Sequence, residues 1–226
     1  CVVNTKTEQY QFLADRKGTV HVITNKLEFR PAASHNKQKQ YLIPDGKPVP
    51  WLVELGVMNA SGIVAARYYD KFRQINKFLE FIDASWSVIE GIENPVLVDF
   101  GCGKSYLTFA MHHYFSAVRK KNVRMTGLDL KTDVIDFCGK ISEKYRMDGL
   151  RFVSGDIAGY DQISHADIVV CLHACDTATD YAIAKAVSWG ATLILAVPCC
   201  QKELIHKIDA PQLAEMTKHG IVRERL

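Results

Sequence analysis

After Pro95 the chain settles into five short apolar runs: PVLVDF (95–100), NVRMTGLDL (122–130), LRFVSGD (150–156), ADIVVCLHA (166–174) and ATLILAVP (191–198). Longer helix-like segments separate them. Strands this short and this continuously apolar are buried on both faces, and their alternation with helices makes them parallel neighbours in one covered sheet. The expected architecture is α/β, a Rossmann-like, doubly wound and mainly parallel sheet. That architecture also locates a ligand, because open parallel sheets bind beyond the carboxyl ends of their strands, where the strand order reverses.

The first half carries different patterns. Residues 9 to 24 read as two short strands around a bend at Asp15, Arg16, Lys17 and Gly18. Residues 30 to 50 hold Pro31, Pro44, Gly46, Pro48 and Pro50 with Lys37, Lys39 and Lys47, so a basic, mobile loop is expected there. From Tyr69 the apolar positions Phe72, Ile75, Leu79, Ile82 and Trp86 recur at spacings of three and four, which predicts an amphipathic helix on a core. Arg67, Lys71 and Lys77 fall on its other faces, either as a solvated basic surface or as phosphate contacts. At 226 residues the economical division is a small N-terminal β element with its basic loop (1–48) and one larger domain (49–226).

Charge alone names no partner, since the formal net charge is only +3. No stretch approaches the ~18 consecutive apolar residues of a membrane span, and no signal sequence opens the chain. Seven cysteines sit in or beside apolar runs or in a glycine-rich turn, which suits reduced thiols and a cytoplasmic protein. Oligomeric state is not legible. Because the chain begins at Cys1 and stops at Leu226 in a polar stretch, it is expected to be part of something longer.

Chemistry concentrates at the strand ends. Val98-Asp99-Phe100-Gly101-Cys102-Gly103 closes the first parallel run, where glycines let the backbone turn tightly and let a ligand approach the peptide groups. A P-loop is excluded, because Gly103-Lys104-Ser105 matches only its tail and Val98 stands where its first glycine belongs. A dinucleotide fingerprint is disfavoured by Tyr106 at its third small position. A carboxylate at Asp99 would repel a pyrophosphate but suits a ligand bearing an ammonium and a sulfonium, as S-adenosylmethionine does. Asp99 can alternatively cap the next helix.

Asp129 ends the second run, where it can accept hydrogen bonds from both hydroxyls of a ribose. Asp156 follows the third and can accept from an adenine amino group while Ile157 packs on the ring. Beyond the fourth run lie His173 and Asp176, candidate proton-handling groups. His173, Cys175, Cys199 and Cys200 belong to neighbouring strand ends and can converge. Three explanations stay open: a pocket wall, a cysteine nucleophile, or a zinc site that lacks the usual C-x-x-C spacing. His173, Cys199 and Cys200 are the catalytic candidates, and no metal ligand is assigned.

The segments YDKFRQINKFLEFI (69–82), VDFGCGKSYLTFA (98–110), GLDLK (127–131), LHACDTATDYAI (172–183) and AVPCCQKEL (196–204) together resemble a family of S-adenosylmethionine-dependent methyltransferase domains. It takes in bacterial proteins and resembles the C-terminal domain of the glutathione-transferase-C-terminal-domain-containing protein and the methyltransferase-like 25 group. The resemblance implies a class I methyltransferase fold with cofactor contacts at Asp99, Gly101, Gly103, Asp129 and Asp156, and it points to RNA as substrate; Ile157 and His173 complete the expected cofactor contacts. Members commonly carry glycine where Asp176 stands. A sixth and a seventh strand are also implied, and nothing after Pro198 supplies them, so the C-terminal part of the domain is expected to be missing. The expected function is methyl transfer from S-adenosylmethionine to a structured RNA, with Lys37, Lys39, Lys47, Arg67, Lys71 and Arg73 as phosphate contacts. The alternatives are a small-molecule or protein methyltransferase, and a non-catalytic RNA-binding module that kept the fold.

Overall fold

A computed structural model describes residues 2–5, 8–14, 18–26, 41–172, 174 and 177–197. The chain divides into two compact units, 1–40 and 41–226. In the first, strands β1 (Val2–Asn4), β2 (Glu8–Ala14) and β3 (Val20–Lys26) form an antiparallel sheet in that order. Phe12 lies opposite Val22 and Ala14 opposite Val20, aromatic and β-branched pairings that favour a ladder. The two strands expected over 9–24 are present, and the short β1 adds a third.

The second unit begins with α1 (Pro50–Glu54), started by a proline at its first turn and burying Trp51 and Leu52. A 3₁₀ turn (Ala66–Tyr68) leads into α2 (Tyr69–Ala84), and α3 (Trp86–Ile89) follows. Phe72, Ile75, Leu79 and Ile82 of α2 are fully buried, as their spacing predicts. Trp86, expected on the same helix, instead opens α3 after a break at Ser85. There it packs edge-on to Tyr114, with the Arg119 guanidinium 4.2 Å from its ring centre.

Part of the loop expected to be mobile is also different from its reading. Ile43 is completely buried, and Asn76 of α2 accepts from its N–H (2.9 Å) and donates to its carbonyl (3.2 Å). Asn76 thus supplies both partners that the buried backbone of Ile43 requires. Residues 27–40 of that loop lie outside the described residues.

The five apolar runs become β4 (Val96–Phe100), β5 (Arg124–Asp129), β6 (Leu150–Ser154), β7 (Ile168–Cys171) and β8 (Leu193–Ala196). All pair in parallel, in the order β6-β5-β4-β7-β8. Helices α4 (Tyr106–His113), α5 (Thr132–Lys144) and α6 (Thr177–Ser188) connect them. The fold is therefore the expected Rossmann-like class I sheet. A π-helical turn, Tyr114–Val118, extends α4.

One face of the sheet packs Leu97, Met125, Leu150, Ile168 and Val170 against Phe72, Leu79, Phe109 and Phe115 in a large core. The other face packs Val98, Phe100, Leu128, Val169 and Cys171 against Ile157, Tyr160, Ala166, Ala182 and Ala186 in a smaller core. No described helix is long and apolar enough to cross a membrane. The order of strands reverses around β4, so the switch point lies at the carboxyl ends of β4 and β7.

Candidate functional site at the carboxyl edge of the sheet

The chain leaves β4 through three left-handed residues in five: Gly101 (φ 71°), Gly103 (φ 51°) and Ser105 (φ 58°). Glycine takes this conformation without steric cost, whereas Ser105, which is fully buried at the N-terminus of α4, does so under strain. Leu128 of β5 accepts from the N–H groups of both Gly101 (2.8 Å) and Cys102 (3.0 Å). The Asp129 carboxylate accepts from Gly103 N–H (2.8 Å) through Oδ2 and from Lys131 N–H (3.0 Å) through Oδ1. Nothing lies within 4 Å of the position a Gly103 Cβ would take, so open space adjoins the turn. Beneath the turn, Gly127 has the opposite need, because a Cβ there would fall 2.7 Å from the Phe152 ring and 3.2 Å from Cys102 Sγ.

A cleft of about 210 Å³ opens over this turn, lined by Lys71, Asp99, Gly101, Cys102, Gly103, Lys104, Tyr106, Leu107 and Leu172. Among the described residues Asp99 is the lone carboxylate lining it, and it is only 5% exposed. Thr108 of α4 donates to its Oδ2 (2.5 Å). Burial pushes the Asp99 carboxyl up to about 7; the Thr108 hydrogen bond opposes that shift, and the charge of Asp129 adds to it. Cys102 and Cys138 lie buried beside the turn, and burial holds both thiols above their ordinary range, so neither is an activated nucleophile. Also lining the cleft, Lys71 has its Nζ 5.5 Å from the Tyr106 ring centre and donates to Gln74. Burial, then the neighbouring Tyr68, raises the Tyr106 phenol above its usual value.

The cleft brings together Asp99, Gly101 and Gly103, three of the residues singled out in the sequence. Asp129 joins them through Gly103 without lining the cleft. Asp156 is exposed two residues beyond β6, and Ile157 is 7% exposed within the smaller core; neither lines the cleft. His173, Cys175, Asp176, Cys199 and Cys200 lie outside the described residues, although Leu172 borders the cleft. Among the described residues no group of three or more His, Cys, Asp or Glu side chains is arranged to hold a metal ion.

Sequence reasoning missed the far wall. Lys71 reads there as a phosphate contact and Tyr106 only as a steric obstacle, while Lys104, Leu107 and Leu172 carry no signal. Only the packing of α2 on α4 draws Lys71 to the turn. Of the other basic candidates, Arg67 lies over the Tyr68 ring at 4.9 Å, Arg73 sits 3.7 Å from Asp70 in an exposed pair, Lys47 is exposed, and Lys37 and Lys39 are outside the described residues.

Residues 70–207 match the protein family described as a methyltransferase domain. No curated protein matches the sequence. Among solved structures, a coclaurine N-methyltransferase bound to N-methylheliamine and S-adenosylhomocysteine is similar at 13% identity over 50% of this chain and 33% of its own, with a TM-score of 0.39. A methyltransferase from Thiobacillus denitrificans is 19% identical over 50% of this chain and 43% of its own (TM-score 0.37). One from Geobacter sulfurreducens is 17% identical over the same shares (TM-score 0.38). This chain thus spans less than half the length of each of these structures. The family match covers more than half of the sequence and runs through every strand of the parallel sheet: the chain belongs to the methyltransferase domain family.

Proposed function

We propose that the protein transfers a methyl group from S-adenosylmethionine to RNA, within the group that resembles the glutathione-transferase-C-terminal-domain-containing and methyltransferase-like 25 domains. The observation that supports the cofactor assignment is the charge content of the cleft: one buried carboxylate, Asp99, and a lysine, Lys71, line it together with a turn that has open space at Gly103. That set fits a zwitterionic amino-acid end. Asp99 would take the ammonium, Lys71 the carboxylate, and the turn at Gly101 and Gly103 would admit the sulfur close to the backbone. Asp129 is the proposed ribose acceptor, its carboxylate retaining lone pairs beyond the two backbone bonds. Asp156 and Ile157 are proposed for the adenine, which would then extend past the cleft.

When bound, S-adenosylmethionine supplies an electrophilic methyl group. The protein contributes alignment, since displacement needs nucleophile, methyl and sulfur in line. His173 is the proposed proton acceptor and Cys199 and Cys200 the further catalytic candidates. RNA is favoured by the rim, where Arg67 pairs with Tyr68 and Lys71 with Tyr106, side chains that can meet phosphates and stacked bases. The division into a β element with a basic loop (1–48) and a catalytic domain (49–226) is kept as part of the proposal, with the first gripping substrate.

Calorimetric titration of S-adenosylmethionine and S-adenosylhomocysteine into the full chain tests the cofactor, and labelled-methyl transfer into cellular RNA tests the substrate. RNA affinity should fall steeply with salt; a flat response, or label appearing only in small molecules or protein, would remove RNA from the assignment. Lys71→Ala should weaken S-adenosylmethionine about tenfold, the loss of one charge-assisted contact. Binding of methylthioadenosine, which lacks the amino-acid end, should be unchanged by it. Equal losses for both ligands would mean that Lys71 acts only through its packing on Tyr106.

A further inference from the structure

At the opposite end of the sheet, the connection between β6 and β7 (residues 155–167) contains no helix. A second cleft, of about 290 Å³, lies beside it, lined by Val96, Arg124, Met125, Thr126, Gly149, Arg151 and Ile163. Among the described residues its walls are apolar apart from Thr126 and the two arginines, and no carboxylate lines it. Arg151 lies opposite Thr126 in the ladder between β5 and β6. Its Nε donates to Thr126 Oγ1 (3.0 Å) and its Nη2 to the Tyr160 hydroxyl (3.3 Å). Tyr160 is itself 4% exposed and packs edge-on to Phe100, so the guanidinium is held from a fixed point.

Both partners of Arg151 are neutral, and no ion pair among the described residues compensates it. Arg124, on the adjacent strand, has no side-chain partner among them at all. Arg124 and Arg151, both exposed, line one partly apolar cleft from adjacent strands, so two like charges gather there and repel. An anion bridging them removes that repulsion, and the arginine fork matches the oxygens of a phosphate. We propose that this cleft is an oxyanion site, built by Arg124 and Arg151 with Thr126 between the strands, that takes a phosphate group. It lies at the amino ends of β4, β5 and β6, away from the methyl-transfer cleft, and stands whether or not that assignment holds.

The test compares thermal unfolding of the full chain in sodium phosphate and in sodium chloride at matched ionic strength. Phosphate should raise the midpoint of the wild type more than that of Arg124→Ala, with Arg124→Lys intermediate because it keeps charge without the fork. Arg124 is exposed and unpartnered, so its replacement leaves the fold intact; Arg151→Lys provides the second variant. Identical phosphate responses in wild type, Arg124→Ala and Arg151→Lys would overturn the site. Titration with a short single-stranded RNA then identifies the source. Weaker binding by Arg124→Ala, with the salt slope reduced by about 1, assigns the phosphate to a nucleic-acid backbone. Unchanged RNA affinity with a lost response to inorganic phosphate assigns it to a free phosphate or a phosphorylated small molecule.

Discussion

Asp129→Ala is expected to weaken S-adenosylmethionine about a hundredfold, the loss of ~3 kcal/mol that removing charge-assisted hydrogen bonds from a ligand and its supporting turn brings. Two losses combine. The ribose would lose its acceptor, and Gly103 N–H would lose the oxygen 2.8 Å away that ties the turn to β5. Lys131 N–H, which the other carboxylate oxygen satisfies, is exposed enough to turn to water. The variant should therefore remain folded while the cofactor site loosens. Asp129→Asn keeps one acceptor and should fall between the two. Calorimetry with S-adenosylhomocysteine decides the matter: wild-type affinity in a folded Asp129→Ala protein would sink the assignment of the second strand end to the cofactor.

Asp99 should give the protein a pH dependence in which stability and binding run in opposite directions. Its carboxyl is raised from 3.8 to about 7 in the folded chain, so the unfolded state releases the proton first. Folding stability from this group is therefore full below about pH 4 and is lost as pH rises through about 7. Asp99→Asn removes that loss while keeping an oxygen for the Thr108 hydroxyl, and should be more stable than wild type at pH 8 by up to about 4 kcal/mol. Denaturant titrations of the two proteins at pH 5 and pH 8 measure it, and a gap that does not widen with pH would count against the buried charge.

Binding has the reverse sign, because an ammonium or sulfonium favours the ionised carboxylate. Wild-type affinity for S-adenosylmethionine should climb by up to about tenfold per pH unit below 7 and level off above it, with a proton released on binding. In Asp99→Asn the affinity should be weak and flat across the same range. Such a pairing of local cost with ligand affinity is the usual sign of a site maintained for function.

Much of this was readable in advance, for physical reasons that differ by element. The five strands were legible because burial on both faces leaves an unbroken apolar run. Phe72, Ile75, Leu79 and Ile82 were legible because one buried stripe repeats every turn. The rule that parallel sheets bind at their carboxyl edge pointed to three acidic strand ends, of which Asp99 lines the cleft, Asp129 touches it through Gly103 and Asp156 stands apart. Periodicity fails at Trp86 because it reports which residues are apolar and not where the backbone stops being helical. The burial of Ile43 was hidden for another reason: its partner, Asn76, is 33 residues away, and no local pattern encodes that meeting. Lys71 reads as surface on its own helix and becomes part of the cleft only when α4 is set against it.

The unequal cores on the two faces of the sheet also imply unequal persistence of structure. Large side chains from α2, α4 and α5 lock one face, while among the described residues the face under α6 holds a smaller cluster, in which the Phe100, Tyr160 and Trp189 rings sit beside Ala166, Ala182 and Ala186. Partial opening should therefore start at α6 and β8 and spare β4 and β5 until the whole unit unfolds. The turn at Gly101 to Ser105 leads into α4, which packs in the larger core, so the molecule would hold its cofactor from a rigid side while α6, on the smaller core, yields first.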